Sequence, residues 1–105
     1  MPAHKIALIK DLRDHRGKKF VINGEEIAVF NIDGNFYAVS NVCPHQHFSK
    51  LHEGILNELT LTCPMHGWTY DLATGRSTNA GGVLKTYRTE IRGNNLYLHT
   101  NEEPD

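Results

Sequence analysis

Asn41-Val42-Cys43-Pro44-His45, followed after seventeen residues by Cys63-Pro64-Met65-His66-Gly67-Trp68, is the stretch on which the reading of this 105-residue chain turns. Its pattern is C-x-H-x17-C-x2-H, and Cys43 and Cys63 are the only 2 cysteines in the chain. Each half offers one soft thiolate and one borderline imidazole on a tight turn, so the two halves brought together make a site of two thiolates and two imidazoles. The candidate ligands are Cys43, His45, Cys63 and His66. A structural zinc ion also accepts two of each. Zinc fingers, however, pair like ligands within a knuckle, whereas both knuckles here are mixed. Mixed knuckles fit a binuclear site with one thiolate pair and one imidazole pair.

Outward from these two boxes, residues 41–82 are rich in His, Gly, Pro and Asn and interrupt a strand pattern on either side. A long polar insert on a β scaffold is where function tends to sit. Elsewhere turn signals recur at short intervals: Asn23-Gly24, Asp33-Gly34, Gly75 and Gly93-Asn94 divide segments rich in Val, Ile, Phe, Tyr and Thr. The expected strands are His4–Ile9, Lys19–Ile22, Glu26–Ile32, Asn35–Ser40, Thr60–Thr62, Thr69–Asp71, Tyr87–Arg92 and Asn95–His99. Alternation is clearest at Ile27, Val29 and Asn31, and at Leu96 and Leu98 opposite Tyr97 and His99, as in half-buried strands. No helical period is sustained. The fold class is therefore all-β, short antiparallel strands carrying a ligand-bearing loop insert, and residues 1–105 are expected to form a single domain.

Composition narrows the function. With 39% hydrophobic residues the chain buries one modest core. A formal net charge of −1 argues against a nucleic-acid or anionic-membrane partner, either of which asks for a basic excess on one face. No segment approaches transmembrane length. The first nineteen residues carry Lys5, Lys10, Asp11, Arg13 and Asp14 and lack the unbroken apolar run of a signal peptide. A reduced cysteine pair beside histidines suits an intracellular metal site, so the expected place is the cytoplasm. The polar tail Asn101-Glu102-Glu103-Pro104-Asp105 is expected to be disordered.

The two boxes resemble those of the Rieske family, in which two cysteines bind one iron and two histidines the other iron of a [2Fe–2S] cluster. The resemblance extends over nearly the whole chain, through the turn at Gly54-Ile55-Leu56, the run from His66 to Gly75 and the closing hairpin from Thr86 to Leu98. It implies the small Rieske iron–sulfur fold, one [2Fe–2S] cluster on Cys43, His45, Cys63 and His66, and ligation by His45 and His66 through Nδ1, with their outer edges toward solvent. Two ferric ions, two sulfides and two thiolates sum to zero charge when the imidazoles are neutral, and this places reduction in a raised range of about −150 to +300 mV. Respiratory Rieske proteins carry a disulfide at the positions of Phe48 and Met65 and a serine at that of Trp68. Their absence brings the chain nearer the soluble Rieske ferredoxins of bacterial oxygenase systems, at the low end of that range.

The expected function is a one-electron carrier taking electrons from a reductase to a terminal oxygenase or other redox enzyme. It is expected to act as a monomer and to have no catalytic residues of its own, since too little chain remains for a catalytic domain. Two alternatives stand beside it, a small Rieske-like subunit of a larger reductase such as nitrite reductase, and a zinc-stabilised interaction module. Among the neighbours, Pro44 and Pro64 are read as shaping the loops and Gly67 as allowing a left-handed turn after His66. His47 and His52 are read as exposed and idle rather than as extra ligands. His4, His15 and His99 carry still less weight. Tyr70 falls where the respiratory relatives donate a phenol to a ligand thiolate, with a packed strand residue as the equal alternative. The segment near Asn79–Val83 lacks the family's usual proline, and Ala80-Gly81-Gly82 is read as cover or connection near the cluster.

Overall fold

Both central residues of Asn23-Gly24 (φ 52° and 79°) and of Asp33-Gly34 (φ 54° and 85°) lie in the left-handed region. This is the backbone that two-residue hairpins demand, and Asn, Asp and Gly adopt it at least cost. These two turns fold the first half of the chain into a meander. The computed structural model describes residues 3–42, 50–64, 67–79 and 82–99. Among them lie nine strands: β1 (Ala3–Leu8), β2 (Arg16–Ile22), β3 (Glu25–Ile32), β4 (Asn35–Ser40), β5 (Ile55–Asn57), β6 (Thr60–Thr62), β7 (Thr69–Asp71), β8 (Thr86–Arg92) and β9 (Asn95–His99). The only helical pieces among the described residues are two 3₁₀ turns, Ile9–Asp11 and Leu51–Glu53. The all-β expectation holds, and every strand pairing is antiparallel.

Six strands form one sheet in the order β1-β9-β8-β4-β3-β2, and β5-β6-β7 form a smaller sheet. The insert leaves the large sheet at the end of β4 and re-enters at the start of β8. Those two points are neighbours: Val39 pairs with Thr86, and the Ser40 N–H donates to the Lys85 carbonyl at 2.8 Å. Glu25 on β3 fastens the re-entry, accepting from the Tyr87 hydroxyl and lying 3.2 Å from Lys85 Nζ. The Tyr87 hydrogen bond, with help from Lys85, holds the Glu25 carboxyl below its usual range. Burial, with Glu25 beside it, raises the Tyr87 phenol. A carboxylate and a neutral phenol are thus the states that lock β8 onto β3 at neutral pH.

The strand β3 departs from the expected half-buried pattern. Ile27, Ala28, Val29 and Phe30 are all fully buried, because both faces of β3 and β4 are covered. Ile27, Val29, Phe36 and Ala38 join Leu12, Tyr87, Leu96 and Leu98 in one apolar cluster. Ala28, Phe30, Ile32 and Val39 join Leu51, Leu61, Cys63, Tyr70, Leu72 and Leu84 in a second. The expected single core is therefore two, one on each face of the central strands, and only the second contains side chains from the insert. Full burial of each large apolar side chain, such as Phe30, Leu51 or Leu61, contributes about 1.5–3 kcal/mol to seating the small sheet. By contrast β9 keeps the expected alternation, with Leu96 and Leu98 buried and Asn95, Tyr97 and His99 half-buried.

Two further differences have local causes. β2 begins at Arg16, three residues before the expected start at Lys19, because its pairing with β3 runs unbroken from Arg16↔Asn31 to Ile22↔Glu25. Gly17 belongs in that extension because a Cβ there would meet the His52 carbonyl oxygen at 2.4 Å and the Phe30 ring at 2.5 Å. The bare backbone lets the turn Leu51–Glu53 lie directly against β2. β5, expected only as a turn region, is a three-residue strand paired with β6 from Ile55↔Thr62 to Asn57↔Thr60.

Candidate metal centre

The small sheet places Cys63 at one end, directly after β6. Ile55 at the start of β5, Thr62 at the end of β6 and Thr69 at the start of β7 are paired side by side. Gly54 precedes β5 at that end, and Cys63 and Pro64 follow β6 there. Cys43, His45 and His66, with His47, Phe48 and Met65, lie outside the described residues, as do Ala80, Gly81 and the tail 100–105. The site's described ligand candidate is Cys63.

Cys63 follows β6 directly and is 1% exposed, within the cluster that also holds Tyr70 and Leu61. Its N–H donates to the Trp68 carbonyl at 2.7 Å, which adds one rung to the β6–β7 ladder. Gly67 takes φ 72°, the left-handed backbone expected after His66, and Pro64 is exposed on the outer side of the loop. A sulfur held in apolar surroundings at the root of a rigid hairpin is a poor place for a bare thiolate and a suitable one for a metal thiolate. The donor set and this placement fit an iron–sulfur cluster.

A clasp that sequence reasoning missed joins Asn41 to Leu51 and His52. Asn41 is fully buried, and its Oδ1 accepts from the His52 N–H at 2.7 Å with His52 Nδ1 at 3.1 Å. Its backbone holds both sides as well: the Asn41 N–H donates to the Glu26 carbonyl at 2.9 Å, and the Leu51 N–H donates to the Asn41 carbonyl at 3.3 Å. Asn41 is thus tied to Leu51 and His52, two positions before Cys43. His52 is neither an idle surface group nor free to serve as a ligand through Nδ1; its side chain is 19% exposed and takes part in the clasp. His15 and His99 pair with Asp14 at 3.0 Å and Glu90 at 2.7 Å, outside the insert.

The third segment of the insert packs beside β7. The Asp71 N–H donates to the Arg76 carbonyl at 2.9 Å, Tyr70 bridges Ser77, and the Thr78 N–H donates to the Thr69 carbonyl at 2.9 Å. The excursion is closed below by the Leu84 N–H donating to the Gly75 carbonyl at 2.7 Å. Tyr70 has no exposed surface, so its ring packs in the second cluster as the packing reading required. A phenol so buried also needs an acceptor, and that leaves the thiolate reading standing beside it.

Residues 3–88 match the Rieske [2Fe-2S] domain. The 3-phenylpropionate/cinnamic acid dioxygenase ferredoxin subunit of Photorhabdus laumondii is 34% identical over 101 residues, covering 93% of this chain and 94% of its own. The fold matches that of the ferredoxin of carbazole 1,9a-dioxygenase from Nocardioides aromaticivorans, with a TM-score of 0.90 at 23% identity over 96% of this chain and 100% of the other. A protein described as an NADPH nitrite reductase small subunit shares the fold with a TM-score of 0.87 at 24% identity, over 95% and 100% of the two chains. With Cys63 buried at one end of a small sheet and the family's pattern matching more than four fifths of its length, the chain belongs to the Rieske [2Fe-2S] domain family.

Proposed function

We propose that Cys43, His45, Cys63 and His66 hold the [2Fe–2S] cluster and that the chain carries single electrons from a reductase to a terminal oxygenase in the cytoplasm. The observation that supports this reading most is the burial of Cys63 at the end of the small sheet where Ile55, Thr62 and Thr69 pair, in a chain that matches the Rieske domain over residues 3–88. The relative from Photorhabdus laumondii, a dioxygenase ferredoxin subunit of nearly the same extent, supports the choice of an oxygenase as acceptor. The cluster supplies a site for one electron. The chain's own residues hold the thiolate at Cys63 inside the apolar cluster, tie Asn41 to His52, and keep water from the inner side of the site with Tyr70, Leu61 and the half-buried Trp68. Among the described residues no helix is long and apolar enough to cross a membrane.

Protein produced with iron and sulfide available is expected to be red-brown, to contain about two irons and two sulfides per chain, and to give after dithionite reduction a spin signal of low average g. A colourless, zinc-only product would overturn the reading in favour of the zinc-stabilised module. Co-purification of the chain in fixed ratio with a large reductase would instead favour the subunit reading.

Tyr70 supplies a second test. Its hydroxyl, if donated to a ligand sulfur, stabilises the more negative reduced state, so Tyr70→Phe is expected to lower the reduction potential by about 40 mV, the equivalent of one ordinary hydrogen bond. Protein-film or dye-mediated titration measures it. An unchanged potential with an intact visible spectrum would make Tyr70 a packing residue alone.

A further inference from the structure

The backbone ladder between β7 and residues 76–78 stops at Thr78, but its hydrogen bonding does not. One position further on, the side-chain amide of Asn79 takes over: its Oδ1 accepts from the Thr69 N–H at 3.0 Å, and its Nδ2 donates to the Gly67 carbonyl at 3.1 Å. The pair of contacts is what a peptide unit of a neighbouring strand would make, one acceptor and one donor directed at residues i and i+2 of the adjoining backbone. The chain has left the sheet and a side chain completes it. The two residues held are those that flank Trp68, and Gly67 follows His66 directly. Asn79 is itself steadied by its N–H against the Ser77 hydroxyl at 3.4 Å, and the rung below it carries a contact between the Thr69 and Thr78 hydroxyls.

We propose that Asn79 is a positioning residue of the metal centre: its amide fixes the Gly67–Thr69 backbone and, through that, the geometry and retention of the His66 ligand. The proposal rests on the reading of His66 as a ligand. The far side of the loop is already fixed by the Cys63 N–H on the Trp68 carbonyl. The Cys63 side of the loop is thus anchored by backbone and the His66 side by this amide.

The test compares as-isolated holoprotein with Asn79→Ala, Asn79→Gln and Thr78→Val. The readouts are iron release to a chelator, the g values of the dithionite-reduced cluster, and thermal melting. Asn79 is exposed, so Asn79→Ala is expected to fold and melt close to wild type. It should nevertheless release iron about tenfold faster, the effect of two neutral hydrogen bonds, and show shifted g values. Asn79→Gln, with the same amide on a longer exposed side chain, should restore both, and Thr78→Val, which removes only the hydroxyl contact below, should resemble wild type. Wild-type release and g values in Asn79→Ala would overturn the proposal, as would an Asn79→Gln as altered as the alanine variant or a Thr78→Val equally altered. Absence of iron from the wild-type protein would be a different failure, that of the carrier reading itself.

Discussion

Cys63→Ala protein is expected to be colourless, with iron falling from about two per chain to background and no reversible one-electron couple. The mechanism is loss of a thiolate that no neighbour replaces: Cys63 is enclosed by Leu61, Tyr70 and the other apolar side chains of its cluster, and its own N–H is committed to Trp68. Removing the sulfur leaves only a small void, which costs about 1 kcal/mol. The larger cost is withdrawal of the cluster's binding energy from the folded state. The strand spectrum in the far ultraviolet should survive, because the cluster of Leu12, Ile27, Val29, Phe36, Ala38, Tyr87, Leu96 and Leu98 draws nothing from the insert. Metal analysis and circular dichroism of the same sample check both halves of this expectation. A coloured Cys63→Ala protein would remove Cys63 from the ligand set.

Gly75→Ala is expected to lower the melting temperature by about 15 °C, the counterpart of roughly 3 kcal/mol in a domain of this size. Gly75 has φ 80°, and a Cβ there would stand 2.2 Å from the Leu84 carbonyl oxygen and 3.0 Å from Thr86 Cγ2. The left-handed backbone costs an alanine about 1 kcal/mol, and intrusion on a backbone atom adds about 1–3 kcal/mol more. Relief would require breaking the Leu84 N–H bond to the Gly75 carbonyl, which closes the hairpin carrying Asn79. Gly93→Ala is the control: φ is 61° but no atom lies within 4 Å of the added carbon, so only the conformational cost of about 1 kcal/mol remains. Equal melting of the two variants would show that the close approach at Gly75 has no such cost.

The strands that were legible in the sequence are those bounded by turns of distinctive chemistry. β4, β6, β7 and β9 have the expected limits, and for β4 and β9 Asp33-Gly34 and Gly93-Asn94 mark where they begin. β5 was hidden because Ile55-Leu56-Asn57 is too short to show a period, and because the turn after it uses Glu58 at φ 56°, a residue with no turn signature. In β3 the alternation of Ile27, Val29 and Asn31 was visible. Its continuation through Ala28 and Phe30 meant burial on both faces, which depends on a second sheet that no local pattern announces. The family was legible because the cysteine–histidine spacing is local to each box. Asn41 and Asn79 were not, since a side-chain amide pairing with backbone 11 or 12 residues away leaves no periodic trace.

The adjacency of Ser40 and Lys85 has a consequence for how such a chain can change over generations. An insert whose two ends sit one strand spacing apart meets its host at the rung that joins β4 to β8 and across the inner cluster with Ala28, Phe30, Ile32 and Val39. Lengthening, trimming or replacing residues between those ends leaves the host's strand order and its outer cluster untouched, much as domain insertions succeed where chain ends lie close together. The redox part can thus diversify as a cassette: one scaffold can be refitted with loops for different partners while inheriting the same outer core.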